Sequence, residues 1–201
     1  MRWDRFFDDL EDQLASEWEA ERAALDTEAE RLRLSRVALH ERLGELTGRD
    51  AAAAVVVIEL SDGTAQRATV TGVGADWVAL RPVEGRGGAV VAPFAAIVGI
   101  GMPHHDLLRS ARPAAPRSAL AERMTFGFVL RDLVRRRAGV VVHLSSGRAL
   151  TGTIDRAGAD HFDLALHEPG TPRRADAIAG HRIVPFAAVA WVRVEGSAPA
   201  L

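Results

Sequence analysis

Val55-Val56-Val57-Ile58-Glu59-Leu60-Ser61-Asp62-Gly63 and Val140-Val141-Val142-His143-Leu144-Ser145-Ser146-Gly147 are two versions of one pattern: a β-branched apolar run that ends in a glycine-containing turn. Gly63 and Gly147 lie 84 positions apart, as do Asp76 and Asp160 in a second turn. Both blocks close alike, on Ala92-Pro93-Phe94-Ala95-Ala96-Ile97 and on Pro185-Phe186-Ala187-Ala188-Val189. Pro93 and Pro185 are farther apart because the loop from Glu168 to Arg182 is longer. Order preserved across two turns and a closing strand predicts a duplicated unit, each copy a helix followed by about five short strands.

The composition allows such a pair. The 201 residues fit one large domain or two small ones, and 48% hydrophobic content is enough for a core. A net charge of -2 provides no global field toward nucleic acid, anionic membrane or acidic substrate, so partners have to be argued locally. Every basic residue except histidine is arginine, a pattern a GC-rich genome produces, which weakens arginine abundance as a sign of phosphate binding. Without cysteine there is no disulfide, thiolate metal site or cysteine nucleophile. The start, Met1-Arg2-Trp3-Asp4, turns acidic where a secretory signal needs a basic start and an apolar run. Ala51 to Ile58 is the longest apolar stretch, well short of the roughly 20 residues that span a bilayer. A cytoplasmic protein is expected.

Ahead of the first block, apolar residues from Trp3 to Leu46 fall at helical spacing. Trp3, Phe7, Leu10 and Leu14 form one series, and Trp18, Leu25, Leu32, Leu39 and Leu46 recur at every seventh position. This predicts one long helix or two nearly continuous ones with coiled-coil-like character, although Glu21, Glu28 and Ser35 occupy companion core positions. Its acidic first half and basic second half follow the helix dipole. Four segments are expected: a helical segment over 1–49, a first barrel over 50–102, a Pro/Arg linker over 103–117, and a helix plus second barrel over 118–196, with Ser118 as N-cap of a helix reaching Arg137.

The second block resembles the Sm-like small β-barrel family over about 55 residues, and the first does so more loosely over about 45. Leu144, Gly147, Arg148, Gly152, Ile154, Asp160, Phe162, Leu164 and Leu166 fall where the first family motif has its apolar residues, turn glycine, strand-bending glycine and loop aspartate. In the first block Ala68 replaces the bending glycine. Other small five-stranded barrels, including the PRC-type, share the closing segment. The resemblance implies an α+β fold: a long N-terminal helix followed by two small five-stranded antiparallel Sm-like (SH3-like) barrels, each preceded by a helix. It also implies assembly by strand pairing at exposed edges, with the chain itself as a homo-oligomer or another protein as partner.

Family members hold RNA bases with an asparagine and with an arginine and glycine pair. Here Asp163 and Ala79 take the asparagine positions, and neither Ile183-Val184-Pro185 nor Val91-Ala92-Pro93 has the pair. His161 and Trp77 could still stack a base. Arg135, Arg136 and Arg137 form the densest cationic cluster, preceded by Arg112 and Arg117, and are the candidate contacts for RNA or DNA; a dipole-matched helix C-terminus explains the triplet equally well. His104, His105 and Asp106 lack metal-site spacing, Ser145 and Ser146 lack a nucleophile elbow, and Gly85, Gly87 and Gly88 open no helix. No catalytic, cofactor or metal site is expected. Non-enzymatic interaction and assembly is the leading expectation, with nucleic-acid binding through the basic central segment as the alternative.

Overall fold

The computed structural model describes residues 2–47, 54–84, 88–112, 119–171 and 174–195; the side chains of residues 2–12, 15, 20, 119 and 121 lie outside that description. The chain divides into two compact units, Met1–Ala38 and Leu39–Leu201. The first is a single helix, α1 (Arg2–Arg36), steadied by the i,i+3 ion pairs Arg31–Glu28 and Arg33–Glu30. Leu14, Trp18, Leu25 and Leu32 line it at 47–64% exposure. The coiled-coil expectation is corrected here, because Glu21, Glu28 and Ser35 leave the apolar stripe half a seam. The side chains of Trp3, Phe7 and Leu10 lie outside the described residues.

Helix resumes as α2 (Leu39–Glu45), which belongs to the second unit because Leu43 and Leu46 are fully buried in its core. There follow β1 (Val55–Leu60), β2 (Ala65–Val73), β3 (Trp77–Pro82), β4 (Val90–Pro93) and β5 (Ile97–Gly101). Next come α3 (His104–Ser110), α4 (Ala119–Arg123) and α5 (Phe126–Arg136). The second set of strands is β6 (Gly139–Leu144), β7 (Ala149–Ala157), β8 (His161–Leu166), β9 (Gly180–Pro185) and β10 (Val189–Val194). The expected linker thus contains a helix, α3, while Pro113, Pro116, Arg117 and Ser118 lie outside the described residues. The helix expected up to Arg137 breaks at Met124 and Thr125, where the Thr125 hydroxyl accepts from Phe128 N and caps α5.

All ten strands make one antiparallel sheet in the order β5-β1-β2-β3-β4-β10-β6-β7-β8-β9, open at β5 and β9. This overturns the expectation of two separate five-stranded barrels: neither block closes on itself, and the edge of β4 pairs with β10 instead. An edge strand carries unpaired backbone donors and acceptors, and joining two edges within one chain satisfies them. The blocks nonetheless share their registers. Val56↔Ala68 recurs as Val140↔Gly152, Val70↔Leu80 as Ile154↔Leu164, Trp77↔Pro93 as His161↔Pro185, and Leu60↔Ile97 as Leu144↔Val189. Even the register shift in the second strand falls at the same step, Val70/Gly72 and Ile154/Arg156.

Local chemistry explains the repeated turns. Gly63 and Gly147, at φ 85° and 82°, each donate to the carbonyl three residues back at 2.9 Å, a left-handed position suited to glycine. Gly152 bends β7 so closely that a Cβ there would strike the Ala165 carbonyl. Two apolar cores result, and each borrows from the other block. The first holds Val56, Ile58, Leu80 and Val90 together with Ala190 and Trp191 of β10. The second holds Leu130, Leu133, Phe162 and Val192 together with Trp77, Ala79 and Val91. Burying one tryptophan contributes on the order of 4 to 6 kcal/mol, so the exchange binds the blocks firmly. Among the described residues no helix is long and apolar enough to cross a membrane.

Candidate interaction site

Where the blocks meet, the structure shows a filled docking site. On one side, the Trp77 indole N–H donates to the Met124 carbonyl at 2.8 Å, and Ala75 N donates to the same oxygen at 2.9 Å. The Asp76 carboxylate accepts from Phe126 N at 2.6 Å, a charge-assisted bond to an otherwise orphaned donor at the start of α5. Gly74 is required because a Cβ would run into the Trp77 ring. The strands are joined through Val192↔Val91 and Arg193↔Val90, with Val194 N donating to the Ala89 carbonyl at 2.9 Å.

On the other side, Trp191 donates its indole N–H to Asp62 at 2.9 Å and stacks on His143 at a centroid distance of 3.6 Å. Burial alone would raise the Asp62 carboxyl, but hydrogen bonds from Thr64 and Trp191, with some help from His143, hold it below its ordinary value. The His143 ring is pushed down by burial and by Arg193, against an opposing pull from Asp62. Its Nε2 is buried without a hydrogen-bond partner among the described residues.

Two similar places remain open at the sheet ends. At the β5 end, a groove of about 240 Å³ lies between α2, α3 and β5, lined by Leu39, Leu43, Ile97, Val98, Met102 and Leu107. It is the positional counterpart of the α5/β10 site that Trp77, Ala79 and Val91 fill. Val98 is 70% exposed, whereas its counterpart Ala190 is 0% exposed. β5 has no charged residue, and among the described residues the one charged side chain lining the groove, Arg42, donates to Ser110 Oγ at 3.0 Å and to the Leu107 carbonyl at 3.2 Å. The β9 end is different: His161, Asp163, Arg182 and Ile183 stand where the filled junction has Trp77, Ala79, Val90 and Val91. An open cleft of about 990 Å³ there is lined by Arg135, Arg137, Arg156, Arg182, Asp155 and Asp163, among others.

The residues singled out in the sequence are distributed unevenly over these places. Trp77 is 1% exposed with its N–H satisfied, so it has no ring face for a base and its stacking role is corrected. His161 is on the surface, its Nδ1 2.8 Å from Asp160, a contact that holds the Asp160 carboxyl below its ordinary value. Arg135 and Arg136 both pair with Asp132, and Arg137 ends α5 in the left-handed conformation at φ 53°. Arg135 and Arg137 share their cleft with Arg156 and Arg182, which sequence reading did not select because they are scattered over β7 and β9. Exposed Arg112, just beyond α3, does not line this cleft, and Arg117 lies outside the described residues. Asp106 is engaged by Arg109 at 3.0 Å and faces His105 at 3.3 Å; among the described residues no group of three or more potential metal ligands gathers. Compared with family models, curated proteins and solved structures, the chain has no significant match, so the Sm-like resemblance rests only on the residues quoted for it.

Proposed function

We propose that the chain is a non-enzymatic docking and assembly protein that seats an edge strand of a protein partner at its β5 end. One observation carries this reading: the α2/β5 groove is the open counterpart of the α5/β10 site, which already holds a strand edge with an aromatic residue inside the same chain. Main-chain pairing supplies affinity in such strand addition, and side-chain pockets supply selectivity. An uncharged edge with Val98 exposed lacks the charged side chains that commonly guard an edge strand against pairing. The test uses the in-chain occupant as probe, a labelled, cyclised hairpin peptide spanning Trp77 to Pro93. Saturable binding to the full chain that is lost in Val98→Asp supports the reading. No binding, or binding indifferent to Val98→Asp, removes it.

A second reading, nucleic-acid binding, is favoured by Arg135, Arg137, Arg156 and Arg182 meeting in one cleft. Asp155 and Asp163 in the same cleft offset part of that charge, and such binding would be weak and salt-dependent.

A further inference from the structure

We infer that the β9 end is a built-in stop, with His161, Asp163 and Arg182 as the residues that keep it out of the β5 groove of a second copy. The inference rests on reading the β5 groove as a docking site, and it specifies the partner: another protein with an apolar, aromatic-bearing edge, and not a second copy of this chain.

The duplication makes the comparison position by position. A head-to-tail joint between copies would repeat the in-chain pairing, with Ile183 opposite Ile100 where Val91 faces Val192. At the filled junction the residues seated beside α5 are Trp77, Ala79 and Val91, at 1–4% exposure, while Val90, at 0%, packs on the other face with Trp191. Their counterparts at the β9 end are the His161 imidazole, the Asp163 carboxylate and Ile183, with the Arg182 guanidinium in the place of Val90. In the joint the imidazole and the carboxylate would have to be desolvated in an apolar groove and the guanidinium against the opposite face of the sheet, and burying an unpaired charge is strongly unfavourable. Arg42 lines that groove but already donates to Ser110 and Leu107. The reverse contact is missing as well: Gly99 stands in place of Trp191, and Ser146 in place of Asp62. Both tryptophans of the filled junction are therefore absent from a joint between copies. Inward charges on an edge strand are a known means of blocking such growth, and Ile183 by itself, though 72% exposed, does not outweigh them. Selectivity then comes from a repulsive element at one end and an attractive one at the other.

The test restores the junction residues: His161→Trp, Asp163→Ala and Arg182→Val in one full-length chain. Gly158 occupies the place that Gly74 has beside Trp77, so the larger ring has the same room. Sedimentation equilibrium should place the parent chain at 21.6 kDa and the triple variant at multiples of it, returning to one chain when Val98→Asp is added. Circular dichroism confirms that each variant is folded; if the triple variant is not, Asp163→Ala with Arg182→Val is used under the same criteria. A parent chain that already forms head-to-tail multiples abolished by Val98→Asp would overturn the stop while leaving the docking reading intact. A folded variant that stays single, although the Trp77 to Pro93 peptide binds the parent, would overturn the assignment of these residues. If the variant stays single and the peptide does not bind, the docking reading and the stop fail together.

Discussion

Trp77 and Trp191 allow one chemical change to be made twice with different consequences. Replacing either by Phe keeps most of the ring burial and deletes one indole N–H. At Trp77 the bond lost is to the Met124 carbonyl, which keeps the Ala75 N–H at 2.9 Å, so no buried acceptor is orphaned. Losing a neutral bond costs about 1 kcal/mol, and the smaller ring adds a partial cavity of similar cost. At Trp191 the bond lost is to the Asp62 carboxylate, whose side chain is 4% exposed and is left with Thr64, whose N donates at 3.0 Å, and with His143 at 4.0 Å. A bond to a charged group contributes about 1.5 to 3 kcal/mol, and the carboxylate left behind adds its own desolvation penalty. Trp191→Phe should therefore cost about 3 to 5 kcal/mol and Trp77→Phe about 2, read from urea unfolding midpoints at constant slope. Adding Asp62→Asn to Trp191→Phe should recover part of the loss, because the uncompensated charge is gone. Equal costs at both positions, or no recovery in the double variant, would refute the reasoning.

Other outcomes follow from the same geometry. Deleting residues 1–38 should leave the sheet unit folded, whereas a cut before Arg49 also removes Leu43 and Leu46 and should cost at least about 4 kcal/mol by chemical denaturation. Stability should fall as pH drops from His143's ordinary 6.5 through its depressed value, since the folded state favours the neutral ring and the unfolded state takes up the proton first. His143→Phe, which keeps an aromatic partner for Trp191, should flatten that limb; an unchanged profile would contradict the assignment. The Asp62 contribution should persist until the pH falls through that carboxyl's own lowered value, and Asp62→Asn should remove this acid limb. Any single-stranded nucleic acid binding should weaken steeply with salt and drop further in Arg137→Ala with Arg156→Ala, because both face the same cleft; anisotropy that is indifferent to salt would exclude a phosphate origin.

The duplication was legible because turn chemistry is local: Gly63 and Gly147 reveal themselves by position, and the strands between them by β-branched content. The joining of the blocks was not, because the β4 to β10 pairing links residues distant in sequence and no local pattern sets it. Trp77 and His161 show the consequence. They hold one position in the repeat and share one expected role, stacking a base, yet one is buried by the neighbouring block and the other faces water. A usable signal was present in the comparison of copies: Trp77 against His161, Ala79 against Asp163, and Val90 against Arg182 mark one covered edge and one uncovered edge. The sequence leaves one long helix and two nearly continuous ones equally open because Leu39 and Leu46 continue the seven-residue series, while burial of Leu46 depends on the sheet beneath it. The basic cleft escaped for the converse reason, since Arg156 and Arg182 converge only once β7, β8 and β9 are paired.

Residue-resolved amide hydrogen exchange across the β4 to β10 seam is the most direct measurement of a single sheet joined within the chain. The Val192 and Val194 amides of β10 and the Val91 amide of β4 should exchange as slowly as Val56 and Val140 in strands β1 and β6, opening only with global unfolding. Exchange of the seam amides at the fast rate of the outer edges of β5 and β9, with β1 and β6 still protected, would mean that the blocks fold separately and would contradict the joined sheet.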